Sequence, residues 1–259
     1  MYSSFIEKDF TNYFDKYKES NVSKIVKYSL EGGKCIRGFL VKHIIQTLSN
    51  NTIDIWQPVV SIELLHAASL IIDDLPCMDN SVMRRNKNST FVEFGERQSI
   101  LTSFYMISIS LKLLVEGFKS IDNKLNTHID LIYKLINEWT TLVGENLVVG
   151  QMLDLNEDIK KNLNINITPK NENEIILIYK TSSLFMLSFI IGGIFSNNDK
   201  INYENFKNMG LNLGIIFQIM DDFCDIEEDK KQKTYNFIIA NGYFNSLTIY
   251  IKKRSILIA

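Results

Sequence analysis

Two acidic clusters follow apolar runs in this chain, and both could do chemistry. In the first, Asp73 and Asp74 close the run Ser69-Leu70-Ile71-Ile72, and Asp79 follows beyond Leu75-Pro76-Cys77-Met78. In the second, Asp221, Asp222 and Asp225 follow Phe217-Gln218-Ile219-Met220. Adjacent carboxylates beside buried apolar residues repel each other and lose hydration, so a cation is expected between them. A hard divalent metal with oxygen ligands meets that need. Asp221 and Asp225 stand four apart, on one helical face with Gln218. Pro76 ends or kinks the first helix, which lets Asp79 turn back toward Asp73.

Basic residues of the opposite use lie elsewhere. Lys34 and Arg37 follow Gly32-Gly33, where a helix start bearing cations suits an anion. Arg84-Arg85 come five residues after Asp79, and guanidinium forks match phosphate oxygens. Lys180-Thr181 lead into the apolar run Leu184–Phe195. Metal-gathering acids, phosphate-gathering bases and greasy helices together suit a ligand with a polyphosphate head and an apolar tail.

The elements that must position these groups are helices. Stripes at helical spacing recur, as in Val59, Ile62, Leu65, His66 and Ser69, or Leu211, Ile215, Gln218, Asp222 and Asp225. Only 3 prolines and 12 glycines interrupt 259 residues, which counts against a sandwich or barrel. Hydrophobic residues make up 46% and charged residues 22%, an ordinary globular balance. We expect one all-α domain over residues 1–259, a bundle of roughly ten helices around a central cavity, with a shortened C-terminal end. Asn156 to Glu174 is the longest polar connector. The net charge of −2 gives no basic excess for nucleic acid. Three scattered cysteines without a CxxC pattern fit a reducing, cytoplasmic setting, with all three as inert packing groups. The run Leu184–Phe195 is shorter than a membrane span, so no transmembrane segment is expected.

With these residues in view, the chain resembles the trans-isoprenyl diphosphate synthases, closest to the geranylgeranyl type. Leu64 to Asn86 resembles that family's first aspartate-rich motif in its longer form, and Gly214 to Asp229 its second. Gly32-Gly33-Lys34-Cys35-Ile36-Arg37-Gly38 resembles Gly-Gly-Lys-Arg-x-Arg-Pro, with Cys35 and Gly38 as departures. Lys180-Thr181 matches its Lys-Thr, and Gly150-Gln151 with Asp154 its Gly-Gln-x-x-Asp. The five matches keep the family's order from about Gly32 to Tyr235.

The resemblance implies head-to-tail prenyl transfer in a homodimeric enzyme. Mg²⁺ bridging Asp73, Asp79 and Asp221 would hold the allylic diphosphate, with Asp74, Asp222 and Asp225 as further ligands or supports. Arg84 and Lys180 would help hold it. Isopentenyl diphosphate would bind Lys34, Arg37, His66 and Arg85, and Thr181 and Gln218 would flank the allylic cation. In this family a bulky aromatic four or five residues before the first aspartate stops growth early. Ser69 and Ala68 stand there, which implies growth past fifteen carbons, to geranylgeranyl diphosphate, with Phe104, Tyr105 and Met106 as candidates for the floor. A non-catalytic diphosphate-binding subunit is the second reading. A class I terpene cyclase is third, disfavoured because Asp225 stands where that fold needs Ser or Thr. Glu63-Leu64-Leu65-His66 is a lone Glu-x-x-His, and a di-iron bundle needs a second copy.

Overall fold

The apolar run that ends at the first aspartate is helical throughout its length in this computed structural model. The structure describes residues 7–18, 22–50, 53–121, 128–155, 175–198, 200–232 and 236–258. The connector 156–174 and residues 233–235 after the second acidic cluster lie outside them. Two compact units form: Met1–Tyr133 with Ile191–Lys200, and Lys134–Ile190 with Ile201–Ala259.

The first unit is built on helix α4, Gln57–Asp73, preceded by α1 (Glu7–Tyr17), α2 (Ser23–Leu30) and α3 (Ile36–Leu48). Helix α4 is buried over most of its surface and carries Pro58 in its first turn, where the missing N–H costs nothing. A helix covered on most sides belongs in the middle of a core. Val59, Val60, Ile62, Leu64 and Ala68 are fully buried there. Helix α6 (Glu96–Ile121) packs along α4, with the short α5 (Thr90–Phe94) before it. Tyr13, Val26, Leu64, Ala67, Ala68, Met106 and Leu113 close one shared cluster. Lys42 on α3 and Asp9 on α1 form a buried ion pair at 2.7 Å.

A two-residue hairpin, β1 (Met83–Arg84) with β2 (Lys87–Asn88), is the only strand pair among the described residues. Arg85 and Asn86 at its tip both have positive φ, 54° and 62°, as a tight primed turn requires.

The second unit continues α7 (Ile129–Trp139) through a π-helical stretch, Thr140–Leu147, into α8 (Val148–Leu155). A second π-helical stretch, Leu177–Ser182, leads into α9 (Ser183–Phe195). Helices α10 (Tyr203–Gln232), α11 (Phe237–Asn241) and α12 (Tyr243–Ile258) complete it. Gly150 lets α8 lie against the second π-helical stretch: a Cβ there would stand 2.5 Å from the Lys180 nitrogen.

The all-α reading holds. The length argued for the apolar run does not. Leu177–Phe195 is one continuous helical element of 19 residues, because the π-helical turns extend it, and it is long and apolar enough to cross a membrane. So is Glu96–Ile121. In the first, 78% of the apolar window is buried within the structure, against 39% in the second, so α9 already has protein around it and α6 keeps an open face.

Candidate active site

At the first acidic cluster α4 stops at Asp73, and the chain folds back on itself. The Asp79 amide donates to the Asp73 carbonyl at 2.9 Å, and the Ser81 amide to that of Asp74 at 3.1 Å. The return that Pro76 suggested therefore takes place, and it brings the backbones of Asp73 and Asp79 together. Asp73 is half-buried and Asp79 exposed. Asp74 is different. It is 2% exposed, and both its oxygens accept from the Arg84 Nε, at 3.0 and 3.3 Å, while the Arg84 Nη2 closes the pair. The cation expected beside Asp74 is thus supplied by the chain itself, ten residues on.

The hairpin places Arg84 on Asp74 and Arg85 on the end of α2. The Arg85 Nη1 donates to the carbonyls of Ser29 and Leu30 at 2.9 and 3.3 Å, as a cation at a helix C-terminus should. Its guanidinium lies over the glycine turn, and a Cβ on Gly33 would stand 3.0 Å from that Nη1. The Lys87 ammonium sits 3.7 Å above the Tyr28 ring. Lys34 is exposed beside this turn. Arg37 is buried, with its Nη1 3.2 Å from the His66 Nε2. A guanidinium only donates, so Nε2 accepts and the His66 proton sits on Nδ1.

Burial, then the charges of Arg37, Arg85 and Arg84, hold the His66 imidazole well below the usual histidine value of 6.5. The unfolded chain therefore binds a proton where the folded chain does not. Stability contributed through His66 falls as pH drops below 6.5 and rises as pH climbs back through that window. An NMR titration of the imidazole is expected to find its midpoint well under 6.5 in the native protein, and higher in R37M. A native midpoint at or above the usual value would contradict this arrangement.

The second cluster repeats the division of labour. Asp221 and Asp225 are exposed on α10, whereas Asp222 is 5% exposed. The Thr181 Oγ1 donates to the Gln218 Oε1 at 2.7 Å, and the Gln218 Nε2 donates to the Asp222 Oδ1 at 2.6 Å. The Phe237 amide donates to the Asp222 Oδ2 at 2.6 Å. Asn236 ties the same spot, its Nδ2 donating to the Asp222 carbonyl at 2.8 Å. Its Oδ1 caps α11 by accepting from the Ile238 and Ile239 amides. Asn236 was missed from sequence, although an Asn directly before an apolar run is a cap signal. Lys180 forms an ion pair with Asp154, which ties the Lys-Thr and Gly-Gln-x-x-Asp matches together.

Replacing Asp222 with alanine would strand the Gln218 amide and the Phe237 N–H. We expect a loss of about 3 kcal/mol of stability, read from urea unfolding. D222N should recover only part, since its NH₂ group faces one donor. An unchanged midpoint in D222A would show the network to be idle.

Some expectations need correction. Phe104 is 65% exposed, so it forms no floor, while Met106 is buried in the cluster that holds Ala68 and Tyr105 packs against it. Of the cysteines only Cys35 is buried; Cys77 and Cys224 are exposed free thiols, so those two pack nothing. Among the described residues, no three His, Cys, Asp or Glu side chains converge as a ready metal cage. Exposed carboxylates with hard oxygen donors still fit Mg²⁺, which takes one or two carboxylates and completes its shell with waters and phosphate oxygens.

Two Asp-Asp steps, each with one buried and one more exposed carboxylate, on an α-helical scaffold define an isoprenoid-synthase type of protein. The chain belongs to the polyprenyl synthetase family, whose sequence profile matches residues 19–251, and it is a prenyltransferase of isoprenoid biosynthesis. It is 37% identical over 212 residues to the farnesyl diphosphate synthase of Micrococcus luteus, covering 81% of this chain and 68% of that one. It is 30% identical over 212 residues to geranylgeranyl pyrophosphate synthase 6, mitochondrial, of Arabidopsis thaliana, covering 79% and 60%. The fold resembles the solved structure of a geranyltransferase from Legionella pneumophila, with a TM-score of 0.79 at 23% identity over 99% of this chain and 87% of that one. A geranyltransferase from Helicobacter pylori, complexed with magnesium and isoprenyl diphosphate, gives 0.72 at 22% over 98% and 88%.

Proposed function

We propose that this protein joins isopentenyl diphosphate head-to-tail to an allylic diphosphate in a Mg²⁺-dependent reaction, and that its main product is geranylgeranyl diphosphate. The observation that carries the product length is Ala68: it is fully buried, small and packed among Tyr13, Leu64, Met106 and Leu113. With Ser69 beside it, no aromatic ring stands a turn before the first aspartate. The farnesyl names of several relatives argue for fifteen carbons, so product length is what the experiment must read.

Asp73 and Asp79, and Asp221 and Asp225, are the more exposed carboxylates of their clusters and would take Mg²⁺. Asp74 and Asp222 act as their anchors, fixed by Arg84 and by the Gln218–Phe237 bonds. Bound Mg²⁺ would neutralise charge growing on the departing diphosphate. Arg84 and Lys180 add positive charge near it, each steadied by a carboxylate partner. Lys34, Arg37, His66 and Arg85 receive the second diphosphate. The Thr181 hydroxyl and the Gln218 amide offer their dipoles to the allylic cation as it forms. The open face of α6, with Leu101 at 66% and Phe104 at 65% exposure, supports a homodimer.

Purified protein, given labelled isopentenyl diphosphate, each allylic primer and Mg²⁺, should release linear C20 alcohols after dephosphorylation. Farnesol alone would refute the product assignment. No turnover would favour the non-catalytic subunit, and cyclic hydrocarbons a cyclase.

A further inference from the structure

Glu63 is a carboxylic acid in the middle of the central helix, 3% exposed, and the chemistry above gives it no task. Its Oε1 accepts from the Gly38 amide at 2.6 Å, and the Arg37 amide donates to the same carboxylate. These are N–H groups of the first turn of α3, which no helix can satisfy internally. Helix α3 has no cap of its own. The residue before it is Cys35, in the left-handed conformation at φ 51°, and its side chain makes no capping bond. The cap therefore comes from a neighbouring helix. It fits closely, since a Cβ on Gly38 would stand 2.9 Å from the Glu63 Cγ.

One further contact and one shared charge tie this cap to the anion-binding residues. His66 lies three residues after Glu63, on the same face of α4, and meets the Arg37 guanidinium at 3.2 Å. The Arg85 charge acts on both Glu63 and His66. One face of α4 thus holds the start of α3 with Glu63 and the side chain that start presents with His66. Burial pushes the Glu63 carboxyl up from its usual range, and the two amides and two guanidinium groups pull it back. A leucine would spare that burial cost if filling space were the only need.

We propose that Glu63 is a positioning residue: by capping α3 from outside, it holds Arg37 and His66 as a preformed seat for the diphosphate of the homoallylic substrate. The proposal rests on the substrate assignment made above. It separates Glu63 from a residue that merely stabilises the fold, because its loss should weaken one substrate selectively.

The test combines steady-state kinetics with amide hydrogen exchange on the native protein, E63A, E63Q and G38A. In E63A, KM for isopentenyl diphosphate should rise about tenfold, the effect of losing one good hydrogen bond, while KM for the allylic primer stays within about twofold. E63Q keeps an oxygen that accepts the same amides and should restore most of the affinity. G38A keeps the carboxylate but displaces it, and should show the same selective rise, which covers the case of E63A failing to fold. Exchange at the Arg37 and Gly38 amides should speed up in E63A and not in E63Q. A fall in kcat with both KM values unchanged, or E63Q no better than E63A, would overturn the proposal. If the native protein turns over no prenyl diphosphate, the substrate assignment fails separately. The cap is then judged by exchange and by inorganic pyrophosphate affinity, and native values of both in E63A would overturn it.

Discussion

Exchanging Asp73 or Asp221 for asparagine is expected to cut turnover about 10²–10³-fold, the range typical of removing one pre-placed electrostatic stabiliser. The fold should survive, because the buried carboxylate of each pair is the other one, Asp74 or Asp222. Asp74 and Asp222 hold the buried hydrogen bonds, whereas Asp221 is exposed and Asp73 half-buried at the end of α4. Asparagine keeps the shape and removes the charge. Circular dichroism and the urea midpoint should therefore match the native protein while the rate collapses. Single-turnover rates at rising Mg²⁺ provide the direct measurement. Near-native rates in either variant would remove that carboxylate from the metal site.

Phenylalanine at position 68 should shorten the product from twenty carbons to fifteen or fewer. Ala68 has no exposed surface and packs in a cluster with Tyr13, Leu64 and Met106, so a ring there crowds that cluster and, on the proposed reading, narrows the room behind the first aspartate. The same crowding costs about 1–3 kcal/mol, so the melting temperature has to be followed beside the product. S69F, at a half-buried position one residue on, tests the same barrier with less strain on the core. If both variants fold and still yield the native chain length, the barrier lies elsewhere.

Much of the scaffold was legible because helices announce themselves through spacing. The spacing of Val59, Ile62, Leu65, His66 and Ser69 marked a helix, and Pro76 marked its end. The acidic clusters were legible as chemistry for the same reason, since charges directly after an apolar run need an explanation. What the residues could not reveal was which carboxylate of each pair does which job. Asp73 and Asp74 look alike in a sequence, and only the hairpin that returns Arg84 to Asp74 separates them. Glu63 was read solely as half of a metal motif, because its partners are backbone amides of another helix, which carry no residue signature. The π-helical stretches escaped for a related reason. Apolar periodicity over six or eight residues hardly distinguishes a wide turn from an ordinary one.

That wide turn at Leu177–Ser182 carries an evolutionary liability. A π-helical stretch amounts to an α-helix with a residue spliced in, so deleting a single codon there would let the segment relax to ordinary winding. The helix on either side would keep its phase, because the wide turn is what absorbs the extra residue, and only the side chains within the stretch would be re-aimed. Lys180 and Thr181 could lose Asp154 and Gln218 together, while the greasy remainder of the rod stayed packed. Such a lineage would keep a well-folded protein and lose its reactivity at one stroke, with every aspartate still in place.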